Sequence, residues 1–293
     1  MKYDYDISFV TINYNGIVDT CELIDSLVNN LRDVTFEIIV VDNASSNSES
    51  KKIKEKYPEI EVISSKENLG FAGGNNLALP FARGRYVMFI NNDTFVEKDE
   101  FRNLINRIES DSCIGMVCPK IRFSWGKRPI QFAGFTPLSL ITLRNKGIGC
   151  YEEDKGQYET AHPTPFAHGA AMLVKRDILE KVGPMWEGYF LYYEEMDWSE
   201  QITNAGYQIW YEPSCTIFHK ESKAVGIGSP TKNYYLTRNR LLFAKRNRKG
   251  ITRYACYLYL TVVPLLFHAP KYAVTGKFKH ACNIVKALKD FYL

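Results

Sequence analysis

The sequence predicts an α/β fold with a mostly parallel central sheet covered by helices on both faces. Three observations carry that prediction. Over the first 120 residues, short apolar runs alternate with segments of helical spacing. The runs are apolar throughout rather than on alternate positions, as in strands buried on both faces. Three of them end abruptly in polar turns, at Asn13-Tyr14-Asn15-Gly16, Asp42-Asn43-Ala44-Ser45 and Asn91-Asn92-Asp93-Thr94.

The elements follow in order. Residues 7–12 form a β-rich run, and residues 19–31 place Cys21, Ile24, Leu27, Val28 and Leu31 at helical spacing. Residues 36–41 are a continuous apolar strand, 48–57 a helix stopped by Pro58, and 61–64 a short strand. Residues 70–82 read as a helix entered through a glycine-rich turn, 86–90 as a buried strand, 97–110 as a helix and 115–118 as a strand. Residues 121–165 are irregular and rich in Gly, Lys and aromatics. An apolar segment at 166–174 precedes helices over 176–182 and 194–205. Two short strands are expected at 207–211 and 215–219, then a helix over 234–245.

Composition narrows the class. With 293 residues, 45% hydrophobic and 24% charged, the chain is neither disordered nor collagen-like. The net charge of +4 hides an asymmetry. From Arg240 onward there are eleven Lys or Arg and one acidic residue, whereas the preceding part is acidic overall. The partition that follows is a catalytic-type domain at 1–239 and a basic, apolar C-terminal extension at 240–293. Within the extension, residues 254–269 are apolar but short for a membrane span and interrupted by Pro264. Such a segment could lie in a membrane interface, complete a hydrophobic core or form a homodimer contact. Seven cysteines without a CxxC spacing read as free thiols in a reducing compartment, and no signal peptide is evident, so a cytoplasmic location is expected.

Ligands of parallel sheets gather beyond the C-terminal strand ends, so Asn13, Asp42 and Asp93 are expected to converge. Asp42 can accept from ribose hydroxyls or a base N–H. The entry at 68–76, with Asn68, Gly70, Gly74 and Asn75, permits close backbone approach and offers helix-start N–H groups to an anion or a sugar hydroxyl. Asn92 joins this donor-binding set from the third exit. The entry matches neither GxGxxG nor the P-loop. Asp93 is the metal candidate, with Asn91 and His219 as further ligands. The acidic group Glu194, Glu195 and Asp197 either suits the first turn of a helix or supplies a general base. Arg122, Arg128, Arg238 and Arg240 are candidate anion contacts. Neither a Ser-His-acid nor a Cys-His arrangement has a local anchor. The basic tail alone does not indicate nucleic acid, and none is expected as a partner.

Taken in order, the segments at 10–16, 40–48, 67–76, 89–94, 168–185 and 189–207 resemble inverting family 2 glycosyltransferases, especially the rhamnosyltransferase-like branch. The resemblance implies a GT-A fold with a Rossmann-like sheet, a nucleoside-diphosphate sugar donor (dTDP- or UDP-linked) and Mg2+ or Mn2+. It implies that Asn13, Asn15 and Asp42 line the nucleotide pocket and that Asp93 is the last acid of a DXD-like metal motif. The segment Asn91-Asn92-Asp93 lacks the first acid of that motif. It further implies Glu195 as general base, Glu194 and Asp197 as its acidic neighbours, and His219 as a metal ligand. The implied acceptor is a glycan, often carried on a polyprenyl diphosphate. The basic tail would then rest on the anionic cytoplasmic face of the membrane.

Overall fold

A computed structural model describes residues 3–221 and 229–293. The first half alternates β1 (Tyr5–Asn13), α1 (Ile17–Asn30), β2 (Phe36–Asp42), α2 (Glu49–Lys56), β3 (Glu61–Ser64), α3 (Gly70–Ala78) and β4 (Gly84–Ile90). There follow β5 (Thr94–Phe95), α4 (Phe101–Glu109), β6 (Ile114–Phe123), β7 (Ile130–Phe132), β8 (His162–Pro163) and β9 (Ala171–Lys175). The rest comprises α5 (Arg176–Val182), α6 (Glu194–Asn204), β10 (Gln208–His219), α7 (Pro230–Asn247), α8 (Gly250–Val263), α9 (Ala269–Val274) and α10 (Phe278–Tyr292).

The strands form one sheet in the order β3-β2-β1-β4-β9-β6-β10-β5, with β7 beside β6 and β8 beside β10. The β3-β2-β1-β4 half is parallel, and so is the β6–β10 pair. The apolar segment after residue 166 supplies β9, which runs antiparallel between β4 and β6. The two expected strands at 207–211 and 215–219 are one strand, β10, broken in register between Glu212 and Thr216. A bulge absorbs the extra residues without ending the strand.

Alternation along β1 sends its side chains to both faces. Phe9 meets Phe101 of α4 edge-on at 5.0 Å. Ile12, on the opposite face, lies where a side chain on Gly74 of α3 would collide with it, at 2.8 Å. This is why the strand reads as apolar throughout: Ile7, Phe9 and Val10 are all fully buried. Each such side chain contributes about 1.5–3 kcal/mol relative to exposure.

A second, smaller core joins the C-terminal helices to the site-bearing loops. Leu143, Tyr189 and Tyr193 pack there with Leu241 and Phe243 of α7, Cys256 and Leu260 of α8, and Leu288 of α10. The boundary expected at 239/240 falls inside α7, where Asn239 is fully buried. The helix that begins as α8 continues through a π-turn at Pro264–His268 into α9, making 25 helical residues from Gly250 to Val274. Pro264, expected to break the segment, is carried inside it, as is Pro270. The wider π-turn accommodates residues that lack an N–H. Length and apolar composition suffice to cross a membrane. One stripe, Cys256, Leu260, Pro264 and Ala269, is nevertheless buried against the protein.

Candidate active site

Asn13 and Asp42 end β1 and β2 in register with one another. The Asn13 Nδ2 donates to Asp42 Oδ1 at 3.1 Å, Ser45 Oγ at 3.0 Å and Glu49 Oε2 at 2.8 Å. Its Oδ1 accepts from Thr20 Oγ1 at 2.7 Å. Asp42 also accepts from the backbone N–H of Ser45 and Ser50. Asn13 has no exposed surface and holds the first and second turns together. Asp42 is nearly enclosed and similarly engaged. Asn15, in the left-handed region at φ +51°, accepts from the N–H and hydroxyl of Ser46 and fastens the first exit to the second.

The glycine-rich entry is close-packed. Gly70 has φ +71°, and a Cβ there would lie 2.2 Å from the Phe190 carbonyl oxygen. Asn43 organises the turn, donating to Asn68 Oδ1 and the Gly70 carbonyl and accepting from Leu69 N–H. The Gly70 N–H goes to Asn68 Oδ1 at 2.9 Å, and the Phe71 N–H to the Phe190 carbonyl at 2.8 Å. The expectation that this helix start offers its N–H groups to a ligand is therefore corrected: the first two are taken within the protein. Gly74 and Asn75 are buried, Gly74 against Ile12 and Asn75 donating to the Phe71 carbonyl.

At the third exit, Asn92 donates to Thr20 Oγ1 and so joins the Asn13 network. Asn91 N–H donates to the Ala170 carbonyl, while the Asn91 main-chain carbonyl accepts from the Thr94 N–H and hydroxyl. Its carbonyl is thus engaged, leaving the side-chain amide as the only ligand Asn91 could supply. Asp93 is buried, with Oδ1 at 3.1 Å from His219 Nε2. His219 Nδ1 faces Gln131 Oε1 at 2.8 Å. Among the described residues no third His, Cys, Asp or Glu completes a cluster around this pair. The donor set still fits the Mg2+ or Mn2+ that the fold family implies. Such ions take one or two protein ligands and complete their shell with phosphate oxygens and water. Gln131 fixes the ring from its other nitrogen, as metal-binding histidines require.

The acidic group occupies the first turn of α6, and its members diverge. Glu195 lines a cavity of about 350 Å3 together with Leu143, Arg144, Asn145, Tyr192 and Arg240. Its carboxyl lies beside Gly169. Burial pushes its pKa up to about 7. Glu194 is enclosed, and its Oε1 has no hydrogen-bond partner. Burial first, and the neighbouring Glu195 charge second, raise it well above the usual carboxylate range, with Arg238 opposing. Asp197 is not part of the Glu195 cavity. It accepts from Arg246 Nε with both oxygens at 3.1 Å, from the Tyr189 hydroxyl at 3.2 Å and from Asn247. Its expected place among the catalytic acids is corrected to that of a strut between α6 and α7. Arg122 and Arg128 are likewise engaged elsewhere, with Asp154 and Glu97.

The turn at 168–170 connects the two halves of the site. Ala170 meets Asn91 through the backbone, the His168 ring lies 6.4 Å from that of His219, and Gly169 abuts Glu195. His168 is held near 3, first by burial and then by His219, so it is neutral. Sequence reasoning missed Gln131 and Asn239. The Asn239 amide donates to the carbonyls of Tyr189 at 3.1 Å, Leu191 at 2.7 Å and Tyr192 at 2.9 Å. These bonds hold a loop in which Phe190, Tyr192 and Tyr193 all have positive φ. An asparagine on the buried side of a helix was the available signal.

The candidate site thus combines a carboxylate with a raised pKa in a cavity lined by Arg144 and Arg240, and a carboxylate–imidazole pair at the sheet's rim. Residues 8–183 match the family Glycosyl transferase family 2, to which the chain belongs. It has a GT-A fold. The chain is similar to a low-salt glycan biosynthesis hexosyltransferase of Haloferax volcanii, 27% identical over 66% of this chain and 60% of that protein. It thus spans somewhat less than two thirds of that relative. An N-acetylglucosaminyl-diphospho-decaprenol L-rhamnosyltransferase of Mycobacterium tuberculosis is 21% identical over 64% of this chain and 68% of that protein. The structure of a Pyrobaculum calidifontis mannosyltransferase, solved with GDP-Man and Mn2+, superposes with a TM-score of 0.60 at 16% identity, covering 99% of this chain and 90% of that one.

Proposed function

We propose that this protein transfers a hexose from a nucleoside-diphosphate donor to a hydroxyl of a glycan carried on a polyprenyl diphosphate, with inversion at the anomeric carbon. The observation that carries the reading is the 168–170 turn, which adjoins the Asp93–His219 pair on one side and Glu195 on the other. A donor sugar bound between them would have its leaving diphosphate at the first and the attacking hydroxyl of the acceptor at the second.

Glu195 takes the proton of the acceptor hydroxyl as that oxygen attacks the anomeric carbon. The bond to the diphosphate breaks on the opposite face, and the diphosphate departs with the electron pair. A single displacement inverts the centre and needs no covalent nucleophile. A base with a pKa near 7 is matched to this task at neutral pH. Asp93 and His219 would hold a divalent ion, whose chemistry there would be to neutralise charge on the leaving diphosphate. Asp42, Asn13 and Asn15 hold the rim at which the nucleotide sits.

The rhamnosyltransferase relative supports a dTDP-rhamnose donor as the first to test, with UDP-hexoses next, and a lipid-carried acceptor. The exposed apolar side of α8–α9, with Leu258, Leu265, Leu266 and Phe267, supports attachment to the cytoplasmic leaflet from a cytoplasmic protein. A donor screen with and without Mn2+, reading nucleoside diphosphate release on addition of acceptor, tests the function. Metal-dependent release with one nucleotide sugar is expected; no release with any donor contradicts it.

A further inference from the structure

The C-terminal helices enclose a second cavity, of about 560 Å3, next to the one that holds Glu195. Leu236 and Arg240 of α7 line both. The second cavity adds His268, Lys271 and Lys277, and no Asp or Glu lines it. Among the described residues Arg240, Lys271 and Lys277 form no ion pair; Arg240 Nε donates to the Tyr193 hydroxyl at 2.8 Å. The convergence of charge is felt by His268, which burial and then Arg144, Arg240 and Lys271 hold below its ordinary range. A concave group of cations without counter-charges is built for an anion, and strongly so for one carrying several oxygens. Leu260 and Pro264 form the apolar part of the wall. They belong to the helix whose outer side exposes Leu258, Leu265, Leu266 and Phe267.

We propose that this cavity binds the diphosphate of the lipid-linked acceptor, with Arg240, Lys271 and Lys277 as its cationic contacts. The acceptor sugar then lies in the adjoining cavity with a hydroxyl at Glu195, and the polyprenyl chain leaves along the apolar side of α8–α9. The assignment rests on the transferase reading and extends it to the acceptor. It also gives the basic C-terminal segment a specific ligand beyond general attraction to a membrane.

The test is a calorimetric titration of the full chain with farnesyl diphosphate, in excess nucleoside diphosphate so that the donor site is filled. The expected result is saturable binding that weakens about tenfold or more in the Lys271→Gln/Lys277→Gln variant, as loss of two charge-assisted contacts implies. Both lysines are exposed, so the variant should fold, and each single substitution should give an intermediate loss. Inorganic diphosphate binding as tightly as farnesyl diphosphate would overturn the proposal in favour of a free-anion site. Displacement of farnesyl diphosphate by soluble glycerol phosphate at comparable concentration would overturn it in favour of a headgroup patch. With acceptors in hand, the ratio of kcat/KM for a diphosphate-linked over a diphosphate-free acceptor should fall in the double variant, and an unchanged ratio overturns the assignment. Failure of every donor in the screen would instead sink the transferase reading, while the titration would still decide whether the cavity takes a lipid diphosphate.

Discussion

Glu194 and Glu195 are adjacent in the chain and opposite in surroundings: the first is sealed inside with an unpartnered Oε1, the second opens onto a cavity. Because Glu194 has a raised pKa in the folded protein, it binds its proton more tightly there than in the unfolded chain. Its contribution to stability is present below the unfolded value of about 4.3 and is lost as pH rises through the folded value. Glu194→Gln removes that titration. Melting temperatures measured from pH 5 to pH 8 should therefore fall less for the variant than for the wild type. Parallel curves would mean that Glu194 ionises freely.

Asn239 governs the loop that delivers Glu195. Asn239→Ala leaves the Leu191 and Tyr192 carbonyls without their donor, while Tyr189 keeps Arg238. A lost buried partner costs about 1–3 kcal/mol, so thermal stability should drop. A loop with three positive-φ aromatic residues will also relax, and misplacement by about 1 Å can cost about a hundredfold in rate. The expected kinetic pattern is a fall in kcat with little change in donor KM. A fall in stability alone would make Asn239 structural only.

Gln131 orients the His219 ring from its Nδ1 side, and the proposed metal role of His219 can be tested through it. Gln131→Ala should raise the Mn2+ concentration for half-maximal activity by about 10–100-fold, the usual consequence of losing the partner of a metal-binding histidine. Asp93→Ala should do at least as much, and a chelator should abolish transfer. Unaltered Mn2+ response in both variants would place the ion elsewhere.

The exposed side of α8–α9 should carry membrane binding. Leu258→Glu/Leu266→Glu alters two side chains that are 68% and 61% exposed, so folding should be unaffected. Co-sedimentation with phosphatidylglycerol vesicles should decline in this variant and with added salt. Truncation at 239 is the poorer experiment, because it cuts α7 and removes most of the second core. Equal pelleting of variant and wild type would show that this side does not meet lipid.

What was legible in the sequence was local. Apolar runs ending in polar turns identified β1, β2 and β4, and their parallel pairing follows from the helices between them. Asn13 and Asp42 could be placed at one edge on that basis, and they pair in register. What escaped depends on distant partners. The fate of Asp197 is decided by Arg246 and Asn247, some 50 residues away. The same holds for Asn239 and the carbonyls it grips, and for Gln131 against His219. The direction of β9 is set by its neighbours β4 and β6. Pro264 misled because a proline reads as a break, whereas a π-turn absorbs it.

Replacing Glu195 by glutamine decides whether Glu195 removes the acceptor proton. At saturating donor, Glu195→Gln should bind nucleotide sugar as the wild type does and lose about 100- to 10,000-fold in transfer rate. The wild-type rate should rise with pH to a plateau, with its midpoint near the pKa of about 7, since only the ionised carboxyl can accept the proton. A variant that transfers within about tenfold of the wild type, beyond the range expected for loss of a general base, would contradict the account.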